Sequence, residues 1–182
     1  MVYLLLADGF EEIEAIGTLD ILRRANIHVL TVAIEDDYIV KSARNVKFVA
    51  DVTFSELSHD EIADSDALVL PGGGLGVKNL SQSSQVRQMI AAFESNKRLI
   101  AAICAAPTLL GEMGILADKK ATCYPGLEGE LNCREISSDS VVVDGNIVTS
   151  RGAGTTHLFA AKLVELMTDK KLADEILEKM VY

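Results

Sequence analysis

Short apolar runs recur along the chain at Val2 to Ala7, His28 to Ile34, Ala67 to Leu70 and Leu99 to Ile103. Runs this brief, without polar alternation, predict strands buried on both faces of a parallel sheet. Helical patterns lie between them. Glu11 to Ala25 predicts a helix with Glu11, Glu12 and Glu14 in its first turn and Arg23 and Arg24 in its last, each sign where the dipole favours it; Asn26 follows as a left-handed stop. Ser84 to Ser95 puts Val86, Met89, Ile90 and Phe93 on one face. Ser58-His59-Asp60-Glu61 matches a capping box and predicts a short helix ending near Asp64. Further helices are expected from Cys104 to about Met113, from Thr155 to Met167 and from Lys170 to Lys179. Tyr38 to Val40 with Val46 to Ala50, and Val141 to Asp144 with Ile147 to Ser150, read as hairpins, and Ala121 to Tyr124 as a further strand. Strands alternating with helices predict an α/β sandwich with a largely parallel sheet and right-handed crossovers. Residues 1–182 read as a single domain.

Composition narrows the partners. A net charge of −10 argues against nucleic acid and anionic membranes. No window approaches the ~20 apolar residues of a membrane helix, and no basic leader precedes the first strand. Three widely spaced cysteines form neither a disulfide framework nor a metal-ligand pattern. The chain is therefore expected to be a cytoplasmic protein with no metal or other cofactor.

Candidate chemistry collects at the strand ends, where ligands of such sheets bind. The run Leu99 to Ile103 stops at Cys104, and Pro107 marks the first turn of a helix. A thiol at that corner, beside the positive end of a helix dipole, is expected to ionise readily, and the Ala105 N–H is positioned to hold an oxyanion. A lone cysteine is more often a small core residue; the other strand ends shift the balance. Gly72-Gly73-Gly74 after Leu70 allows backbone N–H groups to approach a carbonyl oxygen, although glycine content alone fits a plain turn equally well. It is neither a dinucleotide fingerprint nor a Walker loop. Glu14 is the candidate acid/base: a carboxyl in an apolar site beside a thiolate stays protonated. Glu11 shares its face, and spacing does not choose between the two. His28, His59 and His157 are not placed beside Cys104 by sequence, so no Cys–His dyad is indicated, and Cys123 and Cys133 read as structural.

Four motifs together resemble the ThiJ/PfpI superfamily, nearest its DJ-one branch. They are Gly9-Phe10-Glu11-Glu12-Ile13-Glu14, Leu70-Pro71-Gly72-Gly73, Ala101 to Pro107 and Thr149 to Thr155, and the resemblance spans nearly the whole chain in order. It implies a flavodoxin-like three-layer sandwich with a nucleophile elbow at Cys104, assembled as a homodimer. Cys104 matches the reactive cysteine, Glu14 its protonated glutamate partner, and Gly73 and Ala105 the oxyanion donors beside Gly72. Ile13, Arg24 and Arg44 fall where the family builds a dimer contact near the site; Tyr124, Ser150 and Gly152 fall at the pocket. The resemblance implies a cofactor-free glyoxalase or protein deglycase acting on a small aldehyde or a glycated protein, or alternatively a redox sensor or chaperone working through Cys104 oxidation. Two departures stand out. Ala105 occupies the histidine position of protease-type members, which argues against a cysteine peptidase, and Tyr124 replaces a histidine found in several relatives.

Overall fold

The computed structural model describes residues 1–182, apart from the side chain of His59. Its centre is a seven-stranded sheet with spatial order β10-β11-β7-β6-β1-β2-β5. The strands are β1 (Val2–Leu6), β2 (Val29–Ala33), β5 (Val52–Thr53), β6 (Ala67–Leu70), β7 (Leu99–Ile103), β10 (Val141–Asp144) and β11 (Ile147–Ser150). All pairings are parallel except the β10–β11 hairpin at one edge.

The apolar runs serve both faces by simple alternation. Val2, Leu4 and Leu6 enter one core, with Leu19, Leu22, Phe159, Leu163 and Val164. Tyr3 and Leu5 enter the other, with Leu68, Leu70, Ile90, Phe93 and Leu109. Helices α1 (Glu12–Arg24), α6 (Thr156–Met167) and α7 (Lys170–Lys179) cover the first face. Helices α3 (Gly74–Gln82), α4 (Ser84–Ser95) and α5 (Ala106–Glu112) cover the second, and α2 (His59–Ala63) lies at its border. The result is a flavodoxin-like three-layer sandwich. From β1 the chain builds outward through β2 and β5, then returns to build the other way from β6. That reversal puts a crevice beyond the carboxyl ends of β1 and β6, where ligands of open α/β sheets bind.

Several elements depart from the sequence expectation. The Gly-rich turn after β6 does not lead into a loop but runs directly into α3, which glycine propensity concealed. Gly76 inside it is required by space, because a Cβ there would stand 2.8 Å from the Phe10 nitrogen. The expected strand Ala121 to Tyr124 shrinks to β8 (Lys120–Ala121), paired with β9 (Glu135–Ile136) outside the main sheet. The chain leaves the ladder there because the Tyr124 N–H donates to the Cys104 carbonyl at 2.8 Å, which draws the segment toward the crevice. The hairpin of β3 (Ile39–Lys41) and β4 (Lys47–Val49) forms as patterned, and the seventh strand β5 was too short to stand out. Among the described residues, no helix is long and apolar enough to cross a membrane, and no group of three or more metal-ligating side chains lies together.

Candidate active site

Cys104 occupies a sharp turn between β7 and α5 with φ of +65°. A non-glycine residue in this region is uncommon and is held there by its surroundings. Two backbone bonds fix it: its N–H donates to Ser150 O at 3.0 Å, and its carbonyl accepts from Tyr124 N at 2.8 Å. The thiol therefore faces a cleft of about 610 Å³, lined among others by Glu11, Glu14, Arg44, Gly73 and Tyr124.

Glu14 reaches this cleft from the first turn of α1. It is 1% exposed, and its Oε2 accepts from the Gly72 N–H at 2.8 Å. Its Oε1 is buried without a protein partner. Gly72 is the spacer between carboxyl and thiol, since a Cβ at that residue would stand 2.5 Å from Cys104 Cβ and 2.6 Å from Glu14 Oε2. Gly73 needs its positive φ of 91° and its missing side chain to pass under the β1–α1 turn, where a Cβ would stand 2.2 Å from Gly9 O.

Burial pushes the Glu14 carboxyl up to about 7. Burial, followed by the adjacent Glu14 charge, pushes the Cys104 thiol up to about 12, against the pull of the Gly73 and Ala105 N–H groups. Desolvation and a charged Glu14 thus oppose the helix dipole and the two N–H groups, so the thiolate is favoured when Glu14 is neutral. The two groups lie close enough to titrate as a pair. Once the pair has lost one proton, the other is shared between them. When it rests on Glu14, the negative neighbour disappears and the carboxyl becomes a hydrogen-bond donor facing an anionic sulfur.

The remaining expectations divide. Gly73 and Ala105 hold N–H groups toward the sulfur, whereas the Gly72 N–H is committed to Glu14 and is not a free oxyanion donor. Tyr124 lies in the cleft wall, its ring in contact distance of a Cβ built on Gly152, and that same Cβ position is 3.9 Å from Glu14 Oε1. Ser150 does not reach the cleft: it is fully buried, and its hydroxyl bonds Ser140 O and Thr155 Oγ1. Arg24 is also absent from the lining, since it sits ten residues beyond Glu14 at the far end of α1, paired with Asp20 at 2.7 Å.

Arg44 is in the lining, where its guanidinium lies 3.5 Å from Glu11 and 3.7 Å from Glu12. None of the lining residues is a histidine; His157 stacks on Tyr182, and the side chain of His59 lies outside the described residues. Cys123 is buried, and burial pushes its thiol up to about 11, in keeping with a structural residue. The sequence reading missed the clamp in which Glu12 Oε1 accepts from Ser42 Oγ at 3.0 Å and Arg44 N at 3.1 Å. Its only trace in the sequence is a third acidic residue in the first turn.

Against known proteins, the DJ-1/PfpI family model matches residues 1–166. The chain is 38% identical over 174 residues to the protein dj-1beta of Drosophila melanogaster, covering 94% of this chain and 91% of that one. It is 35% identical over 176 residues to the glutathione-independent glyoxalase DJ-1 of Schizosaccharomyces pombe, covering 93% and 92%. Among solved structures, oxidized Toxoplasma gondii DJ-1 superposes with a TM-score of 0.93 at 33% identity, covering 100% of this chain and 97% of that one. Sequence match, superposition and the strand-end site agree: the chain belongs to the DJ-1/PfpI family.

Proposed function

We propose that this protein is a cofactor-independent enzyme that converts small 2-oxoaldehydes, or their early adducts on proteins, to 2-hydroxy acids. One observation carries the reading: a buried, protonatable Glu14 and the Cys104 thiol share one cleft, with Gly73 and Ala105 N–H groups turned to the sulfur. A relative of similar length is named for glutathione-independent glyoxalase activity, which supports it.

The chemistry closes on these residues. The Cys104 thiolate adds to the aldehyde carbon, and Glu14 gives its proton to the oxygen that forms, yielding a hemithioacetal and a Glu14 carboxylate. That carboxylate takes the proton from the former aldehyde carbon to give an enediol-type intermediate. The hemithioacetal hydroxyl passes its proton to the neighbouring oxygen, and Glu14 returns its proton to the neighbouring carbon, so the carbonyl moves and a thioester results. Glu14 then draws a proton from water as the oxygen attacks the thioester. The hydroxy acid leaves, and the thiolate and protonated carboxyl are restored. The N–H groups of Gly73 and Ala105 are the donors for the oxyanion. Ile13 and Ile16, three residues apart on α1, are both exposed, which supports a homodimer.

The test is lactate production from methylglyoxal without glutathione. Wild type is expected to turn over, and Cys104→Ser and Glu14→Gln to lose at least about a hundredfold in rate, the scale of removing an acid/base group. Equal rates in all three proteins would overturn the enzyme reading. They would leave Cys104 to the alternative, an oxidisable sensor thiol, which the unpartnered Glu14 Oε1 favours as a ready contact for a sulfinate oxygen.

A further inference from the structure

Glu11 is a buried acidic group that the reaction above does not use. It is 8% exposed, lines the same cleft as Cys104 and precedes α1 as its N-cap, with Oε2 accepting from the Glu14 N–H at 2.8 Å. Its Oε1 faces the Arg44 guanidinium at 3.5 Å. Its backbone is pinned as well, because its N–H donates to Gly72 O at 3.0 Å. The carboxylate is thus held at both ends, against the residue that carries the site's proton. A cap needs only an oxygen, and asparagine, serine or aspartate supplies one with a shorter side chain. A negative charge adds something a neutral cap does not.

We propose that Glu11 is a positioning residue whose carboxylate keeps the shared proton on Glu14 and so leaves the Cys104 sulfur anionic. In the one-proton state of the pair, the negative charge rests either on Glu14 or on sulfur. A fixed negative charge next to Glu14 raises the energy of the first arrangement more than that of the second. The charged and titratable groups around Glu14 support this direction. From the β7–α5 turn comes Cys104 itself, and from the β6–α3 turn the neutral Gly72 N–H. Arg44, on the β3–β4 turn, opposes the effect, but it is exposed and therefore screened by solvent. From the loop after β11 come the uncharged Gly152 and Ala153, while Arg151 turns away to Ser138 O. Tyr124 closes the wall. Glu12, also in the first turn of α1, is turned instead to Ser42 and Arg44. Of these groups, Glu11 is the one that favours a protonated Glu14 by charge, and its carboxylate is seated on the Glu14 backbone N–H.

This inference rests on the Cys104–Glu14 pair of the proposed function but not on any carbonyl substrate, so its test uses a reagent that reports thiolate alone. Alkylation of Cys104 by iodoacetamide is followed by peptide mass spectrometry from pH 5 to 9 in wild type, Glu11→Gln and Glu11→Asp. Glutamine keeps a cap oxygen without the charge, and aspartate keeps both. In wild type the rate is expected to rise through pH 7 to a plateau. In Glu11→Gln the plateau should fall about three- to tenfold, equivalent to a pKa difference of up to about one unit, while the midpoint moves to lower pH because a like charge has been removed. Those two movements in opposite senses are not produced by a loosened fold, which circular dichroism checks separately. Glu11→Asp should stay within about twofold of wild type. The proposal is overturned if Glu11→Gln matches wild type in plateau and midpoint, or if Glu11→Asp loses as much as Glu11→Gln. Loss of lactate production with this alkylation pattern intact would instead count against the proposed function alone.

Discussion

Glu14 carries a stability cost that follows from its use. In the unfolded chain its carboxyl ionises near 4.5, and in the fold burial raises this to about 7. Between those values the folded protein binds more protons than the unfolded one, so stability falls as pH rises, and above about 7 the loss is complete. At about 1.4 kcal/mol per unit, the displacement is worth roughly 3 kcal/mol. Glu14→Gln removes the titration while keeping an oxygen for the Gly72 N–H. It is expected to be more stable than wild type at pH 8 and little different at pH 4.5, as read by chemical denaturation at both values. A Glu14→Gln protein whose stability falls between pH 4.5 and 7 as steeply as wild type would place the titrating group elsewhere. The enzyme reading thus makes the site residue a poor one for stability, as is common where a charge-bearing group is buried for chemistry.

At the scale of elements, local rules set boundaries better than they set partners. Helix α1 ends in a Schellman arrangement, in which Asn26 N–H donates to Arg23 O at 3.0 Å and Ile27 N–H to Leu22 O at 3.1 Å. Asn26 itself stands at φ of +57°, as its residue type suggests. Asn26→Gly is expected to leave thermal stability unchanged or slightly raised, and Asn26→Val to cost about 1–2 kcal/mol, since a branched side chain resists that conformation. A valine variant as stable as wild type would mean the cap does not anchor the α1–β2 turn. The buried strands, the Ser58 capping box and the amphipathic α4 were legible for the same reason, since each is written in residues that neighbour one another. What depended on distant contacts was not. Spacing alone left Glu11 and Glu14 equal and the family resemblance pointed to Glu14; the course of the Gly72 turn gives the physical reason, since one carboxyl meets that turn beside Cys104 while the other caps a helix. Gly76 disguised α3 because its lack of a side chain serves a neighbouring turn and not its own helix. Cys104 stands at its expected corner, but the effects of burial and of the Glu14 charge on its thiol belong to the assembled site and are not written in its sequence neighbours.

For the whole molecule, the start of α1 and the β3–β4 hairpin are joined as one unit. The β3–β4 hairpin is tied to the start of α1 by Ala43 N–H to Phe10 O at 2.8 Å and by the Glu12 contacts with Ser42 and Arg44. Ile13 on α1 is 55% exposed and Val49 on the hairpin 67%, with Ile16 and Val46 also open to solvent. Exposed apolar side chains on two elements tied together in this way mark a candidate interaction face, and in the proposed homodimer a two-fold axis would bury them against their own copy. Symmetry sharpens the expectation, because each substitution is felt twice. Burying one isoleucine contributes about 1.5–3 kcal/mol, so Ile13→Asp should lose about 3–6 kcal/mol of association. That weakens the dimer by roughly a hundredfold to ten-thousandfold. Light scattering on a sizing column would then show wild type at twice the chain mass and Ile13→Asp at the chain mass at micromolar concentration. Because the hairpin that carries Arg44 is part of the same face, KM for methylglyoxal should rise in the monomer while Cys104 alkylation stays near wild type. A wild-type protein that elutes as a monomer, or an Ile13→Asp protein that remains a dimer, would remove this face as the dimer contact.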